Sequence, residues 1–155
     1  MKDIDKGYKD IIKKLQALAG KTLQVGILSD AGVNEKTGAL IADYASINEI
    51  GGYTEEGFEI PARSFIGSTC DEQFQKWDAM VDQMKLDPSY SVEKLLGRVG
   101  AQMVGDIQEK IGSNVSPENA PLTIYIKTRG KGGKTTTLID TGVMRNSINY
   151  KIVDK

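Results

Sequence analysis

Residues 91–111 carry an apolar stripe at helical spacing: Val92, Leu95, Leu96, Val99, Met103, Ile107 and Ile111. Side chains three and four apart lie on one side of an α-helix, so the spacing predicts a long helix with one buried face. A helix of that length must be covered by other elements along that face, which constrains the rest of the fold. Gly100 lies inside the stripe. Its missing side chain permits close approach of a neighbouring helix, at about 1 kcal/mol of propensity lost against Ala.

The remaining segments supply the covering layer. Ile4, Tyr8, Ile11, Ile12, Leu15 and Leu18 predict a helix over residues 3–19, with Gly20 to end it. Leu23, Val25 and Ile27 alternate, which predicts a half-buried strand over 22–28. After a polar loop at 29–37, Leu40, Ile41, Tyr44 and Ile47 share a face and predict a helix over 38–50, stopped by Gly51-Gly52. Residues 53–63 read as an extended arm or an edge strand, because Pro61 cannot donate to a sheet ladder. A third helix is expected over 65–86, with Phe74, Trp77, Val81 and Met84 on its buried face and Asp87-Pro88 closing it. Residues 112–118 form a loop.

Residues 119–127 stay open between two states. Pro121 suits a first helical turn, whereas Thr123-Ile124-Tyr125-Ile126 is β-prone. Residues 128–137 are polar and glycine-rich and read as a mobile loop. Asp140 or Thr141 can cap a short turn through Met144, and residues 148–152 alternate as a closing strand. The sum is an α+β fold: a small mixed or antiparallel sheet packed against several helices, as a single domain over residues 1–155.

Composition narrows the chemistry. The 155 residues include no histidine and one cysteine, Cys70. Histidine-based nucleophile activation, histidine metal ligation, an internal disulfide and a thiolate metal cage are therefore excluded. Cys70 reads as a small buried hydrophobe, and Met80, Met84 and Met103 as core filler. Twenty basic residues nearly balance 21 acidic ones, for a net charge of −1, so no global charge draws the chain to nucleic acid or an anionic membrane. The acidic N-terminus and the lack of a long apolar run argue against a signal peptide or a membrane span, and the expectation is a protein made in a reducing cytoplasm.

Three short motifs invite catalytic or ligand-binding readings. Gly132-Gly133-Lys134-Thr135 lacks the leading glycine of a phosphate loop, since Thr128 holds that position, and no helix pattern follows. Asp140-Thr141-Gly142 matches the tripeptide of retroviral-type aspartic proteases, but only 13 residues follow it, whereas those enzymes place it early in a β-rich domain. Acidic neighbours at Glu55-Glu56 and Asp71-Glu72 lack the spacing of a calcium loop. Lys127, Arg129, Lys131 and Lys134 form the one basic cluster, with no aromatic residue inside it to stack on bases. That cluster reads as a soluble loop or as a segment that orders on an acidic partner subunit.

Two segments together carry a resemblance. The first runs from Ile41 through Ala45, Asn48-Glu49 and Gly51-Gly52 to Ile60-Pro61-Ala62-Arg63-Ser64-Phe65-Ile66. The second runs from Pro121-Leu122 through Lys127 and the glycine-rich loop to Leu138-Ile139-Asp140-Thr141-Gly142-Val143-Met144 and Ser147-Ile148-Asn149-Tyr150. In order and spacing they resemble the tail-completion family of tailed bacteriophages, which includes virion morphogenesis, minor tail and neck proteins. The resemblance covers residues 22–153. It departs at Ile50, Ser64, Thr137 and Met144, where an aromatic, proline, proline and leucine are common.

The resemblance implies a non-enzymatic structural protein acting in head–tail joining or tail completion, with no cofactor, catalytic residue or metal. It implies a virion location at the neck or tail, a homo-oligomeric ring of six-fold or twelve-fold symmetry, and neighbours among neck, connector and tail-tube proteins. DNA would pass through the ring without specific binding, and no membrane is involved. The implied interface residues are Arg63, Phe65, Lys127, Arg129, Lys131 and Lys134, with Arg63 facing a neighbour's carboxylate. Asp140, Thr141, Gly142 and Ser147 would be structural caps around the last turn. The alternatives are a tail terminator, an assembly factor absent from the particle, an aspartic-protease-type enzyme and a nucleic-acid-binding module.

Overall fold

The structure is a computed structural model that describes residues 7–131 and 133–155. The expected helix start at residue 3, with Ile4 on its face, therefore lies outside the described residues, as does Gly132 of the glycine-rich loop. Six helices and four strands follow in the order α1 Tyr8–Ala19, β1 Lys21–Ile27, α2 Ile41–Ile50, β2 Gly52–Tyr53, β3 Glu59–Ile60, α3 Gly67–Lys85, α4 Val92–Gly112, α5 Pro121–Lys127, α6 Val143–Asn146 and β4 Ile148–Asp154. This is the expected α+β arrangement.

The apolar stripe becomes α4, the axis of the fold. Ser91 caps it by accepting from the Lys94 backbone N–H at 3.2 Å. α3 runs back along α4 as an antiparallel hairpin joined by residues 86–91, so Trp77 meets Asp106 and Glu72 meets Lys110. One apolar cluster gathers Trp77, Met84, Val92, Leu95, Leu96 and Val99 near the start of α4. A second gathers Ala45, Phe65, Ile107, Ile111, Met144 and Ile148 near its end. α4 belongs to both, which is why its stripe is the longest in the chain.

The main sheet is β1 paired antiparallel with β4. Leu23 faces Ile152, Val25 faces Tyr150 and Ile27 faces Ile148, so the three alternating apolar residues of each strand lie on one side. That side packs on α4. β2 and β3 form a separate small hairpin, so the edge-strand reading of residues 53–63 holds for Glu59–Ile60. Its turn is closed by bonds from the Thr54 N–H to the Phe58 oxygen at 2.9 Å and from the Gly57 N–H to the Thr54 oxygen at 2.9 Å.

Two expectations change here, and one open reading is decided. Gly100 makes room for a strand residue: a Cβ at this position would sit 2.6 Å from two atoms of the Tyr150 ring. A Cβ on Gly97, one turn earlier, would lie 3.5 Å from the Tyr150 hydroxyl, so the two glycines form a groove for that side chain. Phe74, expected inside, is exposed, because Gln73 rather than Phe74 lies a turn before Trp77 on the half-buried side. Residues 121–127 are helical despite their β-prone composition. Pro121 opens the helix, whose end closes with the Arg129 N–H to the Ile126 oxygen at 3.1 Å and the Gly130 N–H to the Tyr125 oxygen at 2.9 Å. No helix among the described residues is long and apolar enough to cross a membrane.

Candidate functional site

Each of the two sequence segments singled out above is fastened internally by polar bonds, and Arg63 of the first reaches residues 117–118, just before the second. Glu49, in the last turn of α2, reaches the start of α3. Its carboxylate accepts from the Ser64 hydroxyl at 2.6 Å and from the backbone N–H groups of Phe65, Ile66 and Gly67 at 2.7, 2.9 and 2.9 Å. These are donors that a helix N-terminus leaves without partners, and a negative charge there also complements the helix dipole. Burial pushes the carboxyl up, but the four hydrogen bonds outweigh it and hold Glu49 below the ordinary carboxylate range.

Arg63 extends the latch. Its backbone N–H donates to the Asn48 oxygen at 2.7 Å. Its guanidinium, buried against solvent, donates from Nε to the Pro117 oxygen at 2.8 Å and from Nη2 to the Glu118 oxygen at 3.1 Å. Arg63 is therefore spent within its own chain, and the expected bond to a neighbour's carboxylate is corrected. Phe65 is corrected likewise: it is fully buried in the core beside Ala45 and Ile107.

Residues 117–118 lead into α5, whose last residue is Lys127. Its ammonium donates to the oxygens of Thr136, Thr137 and Ile139 at 3.0, 3.2 and 2.9 Å. Burial pulls this amine below the ordinary lysine range; Asp140 opposes the fall and Arg63 adds to it. Lys127 thus turns inward and pins the base of the glycine-rich loop, rather than joining an exposed basic cluster. Asn114 fastens the same strand of backbone, accepting from the Thr137 N–H at 2.9 Å and from its hydroxyl. Arg129, Lys131 and Lys134 remain exposed beyond this base.

The capping expectations divide. Asp140 and Thr141 make no cap bond to α6; the N-cap is Gly142 at φ 79°, a left-handed conformation suited to glycine. Ser147 does end the helix, donating to the Val143 oxygen at 2.9 Å. Sequence reasoning also missed Asp106. This buried carboxylate accepts from Trp77 Nε1 at 2.7 Å, Gln102 Nε2 at 2.9 Å and Lys76 Nζ at 2.8 Å, and rivets α3 to α4. Its signal was an acid flanking the apolar stripe between Met103 and Ile107. Among the described residues every buried side-chain nitrogen or oxygen has a partner, and no group of three or more carboxylate or thiol side chains converges as a metal site requires.

With the polar motif residues turned inward, the surface is marked by apolar side chains. Ile50, Tyr53 and Phe58 on and beside the β2–β3 hairpin are each at least 70% exposed. Leu122, Tyr125 and Ile126, at positions i, i+3 and i+4 of α5, are each about two-thirds exposed. The spacing of those three was readable once Pro121 is taken as a helix start. Tyr8 on α1 and Phe74 on α3 are exposed to a similar degree, but each of the hairpin and α5 groups several such side chains within a short stretch. No family model, curated protein or solved structure matches this chain.

Proposed function

We propose that this chain is a non-enzymatic structural subunit of a tailed-phage particle, acting in head–tail joining or tail completion at the neck or head-proximal tail end. The observation that carries the reading is the division of labour just described. Glu49, Arg63 and Lys127 are consumed in holding the chain together, while large apolar side chains stand exposed on two outlying elements. That is the layout of an assembly component, and the ordered motif set that resembles the tail-completion family supplies the setting. In this reading the subunit sits in a closed ring that DNA traverses without sequence-specific contact.

The test is an amber codon in this gene of the parent phage, with lysates examined by negative-stain electron microscopy. Filled heads lying apart from finished tails are the expected result. Attached tails of abnormal length would make the chain a terminator instead, and its absence from purified particles by mass spectrometry would make it an assembly factor. Normal, infectious particles overturn the reading.

A further inference from the structure

The two apolar surfaces carry opposite charge. Residues 50–60 hold three acidic residues, Glu55, Glu56 and Glu59, and no basic one. Residues 121–134 hold four basic residues and no acidic one. Lys127 is turned inward, which leaves Arg129, Lys131 and Lys134 at the surface. None of these three, nor any of the three glutamates, has an ion-pair partner among the described residues. One element is thus an apolar knob with an acidic rim, and the other an apolar face with a basic rim.

Both are also braced. Phe58 is held by its N–H bond to the Thr54 hydroxyl at 3.2 Å and by the turn it closes. The Tyr125 ring lies on Gly130, where an added Cβ would sit 3.1 Å from it. Bracing lowers the ordering cost that an interface otherwise imposes. The face of α5 that carries Leu122, Tyr125 and Ile126 is exposed and so is free to receive a partner. Three aromatic rings at these exposures cover on the order of 400 Å² when buried. That is about a third of the ~1,200 Å² at the lower edge of specific interfaces, before the aliphatic residues and charged rims are added.

We infer that the β2–β3 hairpin of one copy docks on α5 and the basic loop of a second copy of this chain; this rests on the assembly reading above and specifies its subunit contact. The surfaces differ, so the contact is heterologous. Each copy offers both an unused hairpin and an unused α5, so the contact repeats from copy to copy and propagates into a ring where the rotation closes. Charge pairing at the rim sets register and makes association sensitive to salt.

The test uses the full chain with Cys70→Ala as background. Phe58→Cys and Tyr125→Cys proteins are mixed in a glutathione redox buffer at low salt. A Gln16→Cys protein paired with Phe58→Cys measures random collision. The expected result is a mixed disulfide well above that background, little dimer from either protein alone, and a ladder of oligomers when both cysteines share one chain. Strong dimerisation of either protein alone, or mixed disulfide at the collision level, overturns the contact.

Charge provides the second measurement, by sedimentation at low salt with circular dichroism to verify folding. Glu55→Lys with Glu56→Lys should weaken self-association about tenfold. Adding Lys131→Glu and Lys134→Glu to the same chain should restore it, because both rims are then reversed. Weakening without restoration, or no weakening, overturns the charge pairing. The amber lysates are read separately. Separated heads and tails with no mixed disulfide leave the virion role and remove this contact; normal particles with a strong mixed disulfide do the opposite.

Discussion

Glu49 shows how one side chain can bind two distant pieces of backbone. It caps a helix whose N-cap residue, Ile66, has no side chain able to accept from the leading N–H groups; locally only the Ser64 hydroxyl helps, accepting from the Ser68 N–H at 3.2 Å. Replacing it with alanine orphans three backbone N–H groups, and Glu49→Ala should cost about 2–3 kcal/mol. For a chain this size that lowers the melting temperature by about 5–10 °C in a thermal scan. The titration follows from the direction of the shift. Glu49 and Asp106 both sit below their ordinary values when folded, so the stability they contribute is complete above the unfolded values of about 4. It is lost as the pH falls through the lower folded values. Urea midpoints should therefore hold steady down to about pH 5 and fall below about pH 4, with a shallower fall in Glu49→Gln. Residue identity alone hid this role. An acid after asparagine at a helix end carries no mark of the N–H groups it will meet across space, and for the same reason Arg63 and Phe65 read as surface residues when both point inward.

Elements were legible where periodicity is long. The stripe of α4, the alternation of β1 and β4 and the glycine stops after α2 all follow from spacing and side-chain chemistry. The seven residues of α5 are too few to separate a helix from a strand by spacing, and its β-prone side chains contradict its proline start. Phe74 was misplaced by one position because residues three and four before Trp77 both fit a helical face. α4 offers a paired test of local propensity against packing. Gly100→Ala gains about 1 kcal/mol of helix propensity but drives a methyl into the Tyr150 ring, so a net loss of about 1–2 kcal/mol is expected. Gly105 has open space around it in the same helix, and Gly105→Ala should raise stability by about 1 kcal/mol. Chemical denaturation of the two variants reads both values, and a stabilised Gly100→Ala protein would show that the Tyr150 groove has slack.

Across the whole molecule the α+β class was readable, but the pairing of strands was not. Partners in a sheet are chosen by register and burial over long range, which a single chain does not display. The β1–β4 ladder puts Lys21 against Asp154, and the Lys155 N–H donates to the Gly20 oxygen at 2.9 Å, so segments near opposite ends of the described chain lie side by side. This arrangement has a consequence in time. The α3–α4 hairpin joins close neighbours and closes at little entropic cost, whereas the ladder must close a loop that contains nearly every other element. Helix content and burial of Trp77 should then precede sheet pairing during refolding, separable by stopped-flow fluorescence and pulsed hydrogen exchange at the β4 amides. Until β4 arrives, the groove at Gly97 and Gly100 lacks its tyrosine and the underside of α4 is bare. An unfinished chain is for that interval a sticky one, and its last strand is what ends the hazard.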